Sequence, residues 1–222
     1  MSVPSGFLAI ITALAVAAVV QFSSGRRVNL SLIEFTARTL EDCLRPVNKE
    51  YTWIGVYVGY QARFKLREKG VSRVEATVTL VPRQSLLYYP ISKLTSRFDK
   101  AYLVFHLDKP VAREAHVVRK RYYVRGVSRV IKGYERMRKE DFQVKDAVFH
   151  LVYTSRETVE KLLELPRSLG KPSLINHLAL VPATNTLYLA VKIEPESFEE
   201  VVKKTLELAR SIASKNTPST TQ

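Results

Sequence analysis

Few side chains in this sequence are of types that perform covalent or metal chemistry. Four of its 222 residues are histidine and one is cysteine. A metal ion needs several donors converging on one point, so its ligands recur at close and regular spacings. His106, His116, His150 and His177 instead stand singly. His106 and His150 do occupy equivalent places in two similar strings, 104–107 and 148–151, so neighbouring strands could pair them around a metal. A histidine making one structural hydrogen bond is the simpler reading. Cys43 has no histidine near it in sequence and reads as a small, half-buried side chain rather than a nucleophile. With no second cysteine there is no internal disulfide and no cysteine-clustered zinc site. No Gly-rich phosphate loop, dinucleotide fingerprint, His-Glu-x-x-His pair or G-x-S-x-G elbow occurs. These observations predict a non-enzymatic protein with no cofactor and no metal.

The chemistry that remains is electrostatic. The chain carries a net charge of +14, and it is placed unevenly. Residues 1–139 hold 25 Lys and Arg against 10 Asp and Glu, whereas residues 140–222 hold 10 against 11. A one-sided excess of this kind attracts polyanions. It is densest over residues 119–139, where Arg119, Lys120, Arg121, Arg125, Arg129, Lys132, Arg136, Arg138 and Lys139 stand against Glu135 alone. Tyr122, Tyr123 and Tyr134 are interleaved with them. On an extended strand Arg121, Tyr123 and Arg125 would share a face, and Arg63, Lys65 and Arg67 would do so on an earlier strand. Together they form a candidate surface for a polyanion or a partner protein. The competing reading is a merely solvated face of a Lys- and Arg-rich protein. Asn and Gln number five each, a scarcity that suits a thermophilic source, because amides hydrolyse when hot.

What must hold this surface begins with an uncharged apolar run, residues 3–22. Twenty helical residues rise about 30 Å, the thickness of a bilayer's hydrocarbon core. No Lys or Arg precedes the run, and Arg26 and Arg27 follow it directly. The positive-inside rule then predicts a single-pass anchor in the cell membrane, with the N-terminus outside and the remainder cytoplasmic. Ser23, Ser24 and Gly25 would also suit signal-peptide cleavage, although the usual basic n-region is missing. A buried core helix is the third reading.

Beyond the anchor (1–27), the patterns predict an α+β fold in two lobes. In the first, 28–140, Ser31 and Glu34 form a capping box that opens an amphipathic helix with Leu30, Ile33, Ala37, Leu40 and Leu44 on one face; Pro46 ends it. Period-two alternation over 54–66 and 74–80, around a turn at Gly70, predicts an antiparallel hairpin with one buried face. Further strands are expected at 86–89, 101–107 and 115–124. The second lobe, 141–213, reads strand-helix-strand-strand-helix. Its strand at 147–153 leads through a capping box at 154–157 to a helix ending at Pro166. A hairpin of 178–181 and 187–193 follows, then a helix opened at Ser197 with Phe198, Val201, Thr205, Leu208 and Ile212 inward. That order suggests an α/β sandwich of ferredoxin-like arrangement. Residues 214–222 read as a disordered tail.

The function expected from these features is that of a membrane-anchored cytoplasmic interaction or scaffold protein. Its basic surface would meet anionic lipid headgroups or a partner protein. One alternative is a membrane-tethered nucleic-acid-binding protein, with arginines on phosphates and tyrosines stacked on bases. Another is an accessory subunit of a membrane complex, with Arg121, Tyr122 and Tyr123 at the interface.

Overall fold

The structure, a computed structural model, describes residues 5–67, 69–95, 98–123 and 126–215. Its first element has two unlike halves. Helix α1 (Ser5–Leu44) has 40 residues and is about 60 Å long. Its N-terminal part is long and apolar enough to cross a bilayer, and no residue of that apolar window is buried. Its C-terminal part buries Asn29, Ile33, Thr36, Leu40 and Leu44, a stripe at helical spacing. The separate helix expected to open at Ser31 is therefore corrected. A capping box satisfies amides orphaned at a helix start, and in an unbroken helix those amides already bond four residues back. The expected stop before Pro46 agrees with the structure.

Nine strands follow: β1 (Asn48–Trp53), β2 (Gly59–Lys65), β3 (Val71–Thr79), β4 (Lys100–Leu107), β5 (Ala115–Arg119), β6 (Arg138–Val144), β7 (Ala147–Tyr153), β8 (Ile175–Val181) and β9 (Thr186–Lys192). The remaining helices are α2 (Tyr88–Leu94), α3 (Arg156–Ser168) and α4 (Pro195–Lys215). All nine strands form one sheet in the order β1-β2-β3-β4-β9-β8-β5-β7-β6, with every neighbouring pair antiparallel. The fold is of the mixed α+β class, as the sequence pattern implies. Helices α1, α3 and α4 cover one face, with α1 against β2, α4 against β3 and β4, and α3 against β5, β7 and β8. Between them lies the main core, which includes Phe64, Leu103, Phe105, Phe149, Leu178 and Leu189.

Several local expectations change. The strand expected over 54–66 is shorter, beginning only at Gly59: Gly55 and Tyr57 both take left-handed backbone angles (φ 56° each), which make residues 54–58 a turn joining β2 to the unexpected β1. β1 is exposed along its whole length, so it shows no alternation to read. Residues 86–89 enter helix α2 rather than a strand; aromatic and leucine residues favour strands only weakly, and tertiary context decides. The strand from Ala115 stops at Arg119, where a turn with Arg121 at φ 65° begins. β6 is unforeseen, since its sequence is almost wholly polar. Thr154 does not cap α3; its hydroxyl bonds the backbone N–H and C=O of Glu114 instead. Pro166 does not end α3 but lies inside it, two residues before its end, and its ring is buried. Helix α4 opens at Pro195, a favoured first position, rather than at Ser197. It extends through Ser214 and Lys215, and the rest of the expected tail lies outside the described residues.

The strand-helix-strand-strand-helix succession is present as β7-α3-β8-β9-α4, but its ferredoxin-like arrangement is not. β5, from the earlier part of the chain, lies between β7 and β8, so strands from both sides of residue 140 share the sheet. α1 runs along the strands from one sheet edge to the other. At the first edge Asn29 Nδ2 donates to the carbonyls of Tyr57 (2.8 Å) and Val81 (3.0 Å). At the second, Glu41 pairs with Lys49 at 2.7 Å. We call these the anchor-side and far edges.

Candidate functional site

Strand alternation that buries Tyr60, Ala62 and Phe64 under α1 turns Gln61, Arg63 and Lys65 to the opposite face. There a cleft of about 670 Å³ opens at the far edge, lined by Glu50, Arg63, Lys65, Arg73 and His106 among others. Arg73 lies 3.2 Å from Glu75 and 3.4 Å from His106 Nε2. Partial burial, with Arg73 alongside, lowers the pKa of His106. Arg63 stands directly across from Glu50 on β1 and Glu75 on β3. Among the described residues, Arg63, Lys65 and Arg67 form no ion pair.

The second group of predicted residues lies on the same face. From the anchor-side end of β5, residues 120–123 and 126–137 lie across the sheet as a strap that leads into β6 at the far edge. Two short helical turns, Val127–Arg129 and Tyr134–Arg136, and the left-handed Gly133 (φ 74°) shape it. Its underside carries the buried Ile131 with Tyr122, Tyr123, Val127, Tyr134 and Met137, which pack on Val118 and Val152. Its outer side carries charge. Lys120 pairs with Asp141 (2.7 Å) and Lys139 with Glu135 (3.4 Å). Arg121, Arg129, Lys132 and Arg136 are exposed and form no ion pair among the described residues. Arg138 in β6, also exposed, stands opposite Tyr153 and so belongs to the helix-side face, apart from the others. Arg119 points elsewhere: half-buried, it donates to the carbonyl of Ser173 at 2.8 Å. Tyr123 is likewise turned inward, so the shared strand face expected of Arg121 and Tyr123 does not form. Arg125 lies outside the described residues.

Beneath the strap is a buried polar chain that sequence reasoning missed. His116 Nε2 lies 3.0 Å from Glu114 Oε1, His116 Nδ1 lies 3.1 Å from His177 Nε2, and His177 Nδ1 lies 2.7 Å from the Tyr123 hydroxyl. With Glu114 ionised, the proton order follows by elimination. His116 donates from Nε2 to the carboxylate, His177 donates from Nε2 to His116, and Tyr123 donates to His177. Burial, reinforced by neighbouring His116, pushes His177 down to about 3, and burial also lowers His116. Burial pushes the Tyr123 phenol up to about 12. Both imidazoles are thus neutral and the phenol protonated at neutral pH, the state the chain of donors requires. Such a chain satisfies polar groups that would otherwise be costly to bury. The only sequence signal was a lone histidine on each of two strands, and pairing them needs the β5–β8 register.

His106 and His150 are not brought together. They sit on β4 and β7 with three strands between them, His106 beside Arg73 and His150 bonded to Asp141 (2.8 Å) and Tyr134 (3.0 Å). Among the described residues, no three His, Cys, Asp or Glu side chains are grouped to hold a metal ion. Cys43 is half-buried, and its burial raises the thiol to about 11, away from the reactive thiolate. No protein-family model matches this chain, and no curated protein matches it significantly, so its likeness to other proteins adds nothing to the geometry.

Proposed function

We propose that this chain is a single-pass membrane-anchored interaction protein that presents a basic face to an acidic partner protein in the cytoplasm. The observation that carries the reading is the placement of charge. Four exposed cations of the strap, Arg121, Arg129, Lys132 and Arg136, share with Arg63 and Lys65 the sheet face opposite the helices, without ion pairs among the described residues. Cations left unpaired in a chain that pairs many others are available to an incoming anion.

Anchoring is supported by the apolar half of α1, which covers nothing in the rest of the chain: Phe7, Ile10, Leu14, Val16 and Val20 are all exposed. Arg26 and Arg27 support a cytoplasmic domain. The continuity of the helix supports retention of the anchor. Gly25 is buried where a Cβ would run into the backbone of Arg83 and Gln84, and Gln21 Nε2 donates to the Arg83 carbonyl at 2.6 Å. Cleavage near residue 25 would remove these contacts.

A protein partner is favoured over lipid for most of the face. From Gly59 to Lys65, β2 spans about 20 Å, so Lys65 stands more than two Debye lengths beyond the anchor-side edge at physiological salt. Headgroup charge is largely screened there. Arg136 also lies toward the far edge, two residues before the strap enters β6. The test is photo-crosslinking in native membranes with a photoreactive residue in place of the exposed Ser128. Expected is a discrete protein adduct that disappears at high salt and in the triple variant Arg129→Glu, Lys132→Glu, Arg136→Glu. Adducts to lipid or RNA alone, or a protein adduct indifferent to the charge reversal, would contradict the reading.

A further inference from the structure

Helix α2 is built inside out. Its Ser92 is buried at 4% exposure, whereas Tyr88, Ile91 and Leu94, spaced three residues apart on one helix face, are exposed, Leu94 at 85%. Leu87, four residues before Ile91 and so on the same face, is 76% exposed. A helix in water turns such a stripe inward, so this one is matched to an apolar surrounding.

The position of α2 identifies that surrounding. The chain leaves the sheet after β3 at the anchor-side edge and returns there to begin β4. Both ends of the excursion are fastened: Arg83 forms a two-bond ion pair with Asp99 (2.9 and 2.6 Å) and donates to Asn29 Oδ1 (3.0 Å), and Asp99 accepts from the Val81 N–H (2.8 Å). Directly before α2, the backbone at Arg83 and Gln84 closes on Gln21 and Gly25 of α1. The β1–β2 turn reaches the same level, with Tyr57 edge-on to Phe22 (6.5 Å) and beneath Arg26 (4.7 Å). Its neighbour Val56 is 64% exposed.

We infer that α2 and the β1–β2 turn form an interfacial collar, seated in the headgroup layer of the bilayer that α1 crosses. The patch is continuous with the apolar span: it surrounds the point where the helix changes from exposed leucine and valine to buried Gly25 and Asn29. Its composition suits that layer, where tyrosine rings concentrate and short amphipathic helices lie in the plane. The collar fixes the depth and tilt of the domain, so the far edge of the sheet faces away from the membrane. This inference rests on the anchored reading above.

The test uses the full chain in vesicles, with Cys43→Ala and either Leu87→Cys or Leu94→Cys carrying an environment-sensitive nitrobenzoxadiazole probe. Expected are a blue-shifted emission, quenching by lipids brominated near the headgroup, and protection from aqueous iodide. Adding Tyr88→Asp and Ile91→Asp should shift the emission back to the red and restore iodide quenching. Membrane association is scored separately by flotation and resistance to alkaline carbonate. A chain that floats and resists carbonate, yet shows a red, iodide-quenched probe, overturns the collar and leaves the anchor standing. A blue-shifted probe untouched by brominated lipid indicates a protein covering the patch and also overturns it. A chain that fails to float removes both proposals.

Discussion

On one side of the sheet, Phe64, Phe105 and Phe149 lie fully buried beneath three regular helices; on the other, His116, His177 and Val152 lie beneath a strap with no more than single helical turns. The helix side is closed mainly by apolar area, which is non-directional and tolerates many sequences of similar volume. The strap side is closed by directional bonds running from Glu114 to Tyr123, with only a small apolar patch beside them. The first arrangement supplies most of the stability. The second fixes one position for a loop whose outer surface is charged, which suits a surface that must be held in place to be recognised.

Substitutions should break this contrast unequally. Phe105→Ala, on the helix side, should cost about 3–5 kcal/mol, read as a lowered denaturant midpoint with little change in slope. A cost under about 1 kcal/mol would mean that the helix side is not the dominant core. Tyr123→Phe should cost about 1–3 kcal/mol, because it leaves the Nδ1 acceptor of the buried His177 without its donor. Hydrogen exchange should show the extra opening confined to the strap and adjacent β5 and β8.

Acid should distinguish the faces further. His177 has its folded pKa depressed to about 3 from an ordinary 6.5, so the unfolded chain binds this proton at higher pH than the folded one. Stability conferred by the neutral ring is complete above about pH 6.5 and is lost as pH falls from there toward about 3. The slope from this residue is at most about 1.4 kcal/mol per pH unit. His116, also depressed by burial although Glu114 opposes the shift, adds in the same direction. His177→Leu should flatten the profile over that window, and an unchanged profile would detach the histidines from folding. The smallest effect is expected from the triple reversal of Arg129, Lys132 and Arg136. It should move stability by no more than about 0.5 kcal/mol, since exposed charges contribute little to folding, while abolishing the crosslink described above.

The same contrast explains what could be read from the sequence. Apolar burial on one face leaves a period: Tyr60, Ala62 and Phe64, then Val74, Ala76 and Val78, are the alternations the sequence displays, and all are buried. The helical positions Phe198, Val201, Thr205, Leu208 and Ile212 were legible for the same reason. Directional features leave no period. His116 and His177 are 61 residues apart and meet only because β5 pairs with β8, an insertion between β7 and β8 that no local pattern announces. The basic character of 119–139 was plain, but its conformation was not. Arg119 and Tyr123 resemble their neighbours in type, and only the strap's path turns them inward. α2 failed to declare itself because its seven residues are too few to display a helical period, and the leucines and tyrosines at 86–89 read as a short strand. Gly25, which reads as one of three small residues beside a cleavage site, is the point where another segment's backbone closes on α1.

The central claim is that α1 crosses the membrane and continues, without interruption, into a domain on the cytoplasmic side. It is tested most directly by labelling a single cysteine at Ser214→Cys, in a Cys43→Ala background, with a membrane-impermeant maleimide. In sealed right-side-out vesicles from the native host the full-length chain should stay unlabelled and resist carbonate extraction, and it should label fully in inverted vesicles. Labelling of intact right-side-out vesicles, or recovery of a soluble protein lacking its first two dozen or so residues, a length typical of cleaved signal peptides, would contradict the account.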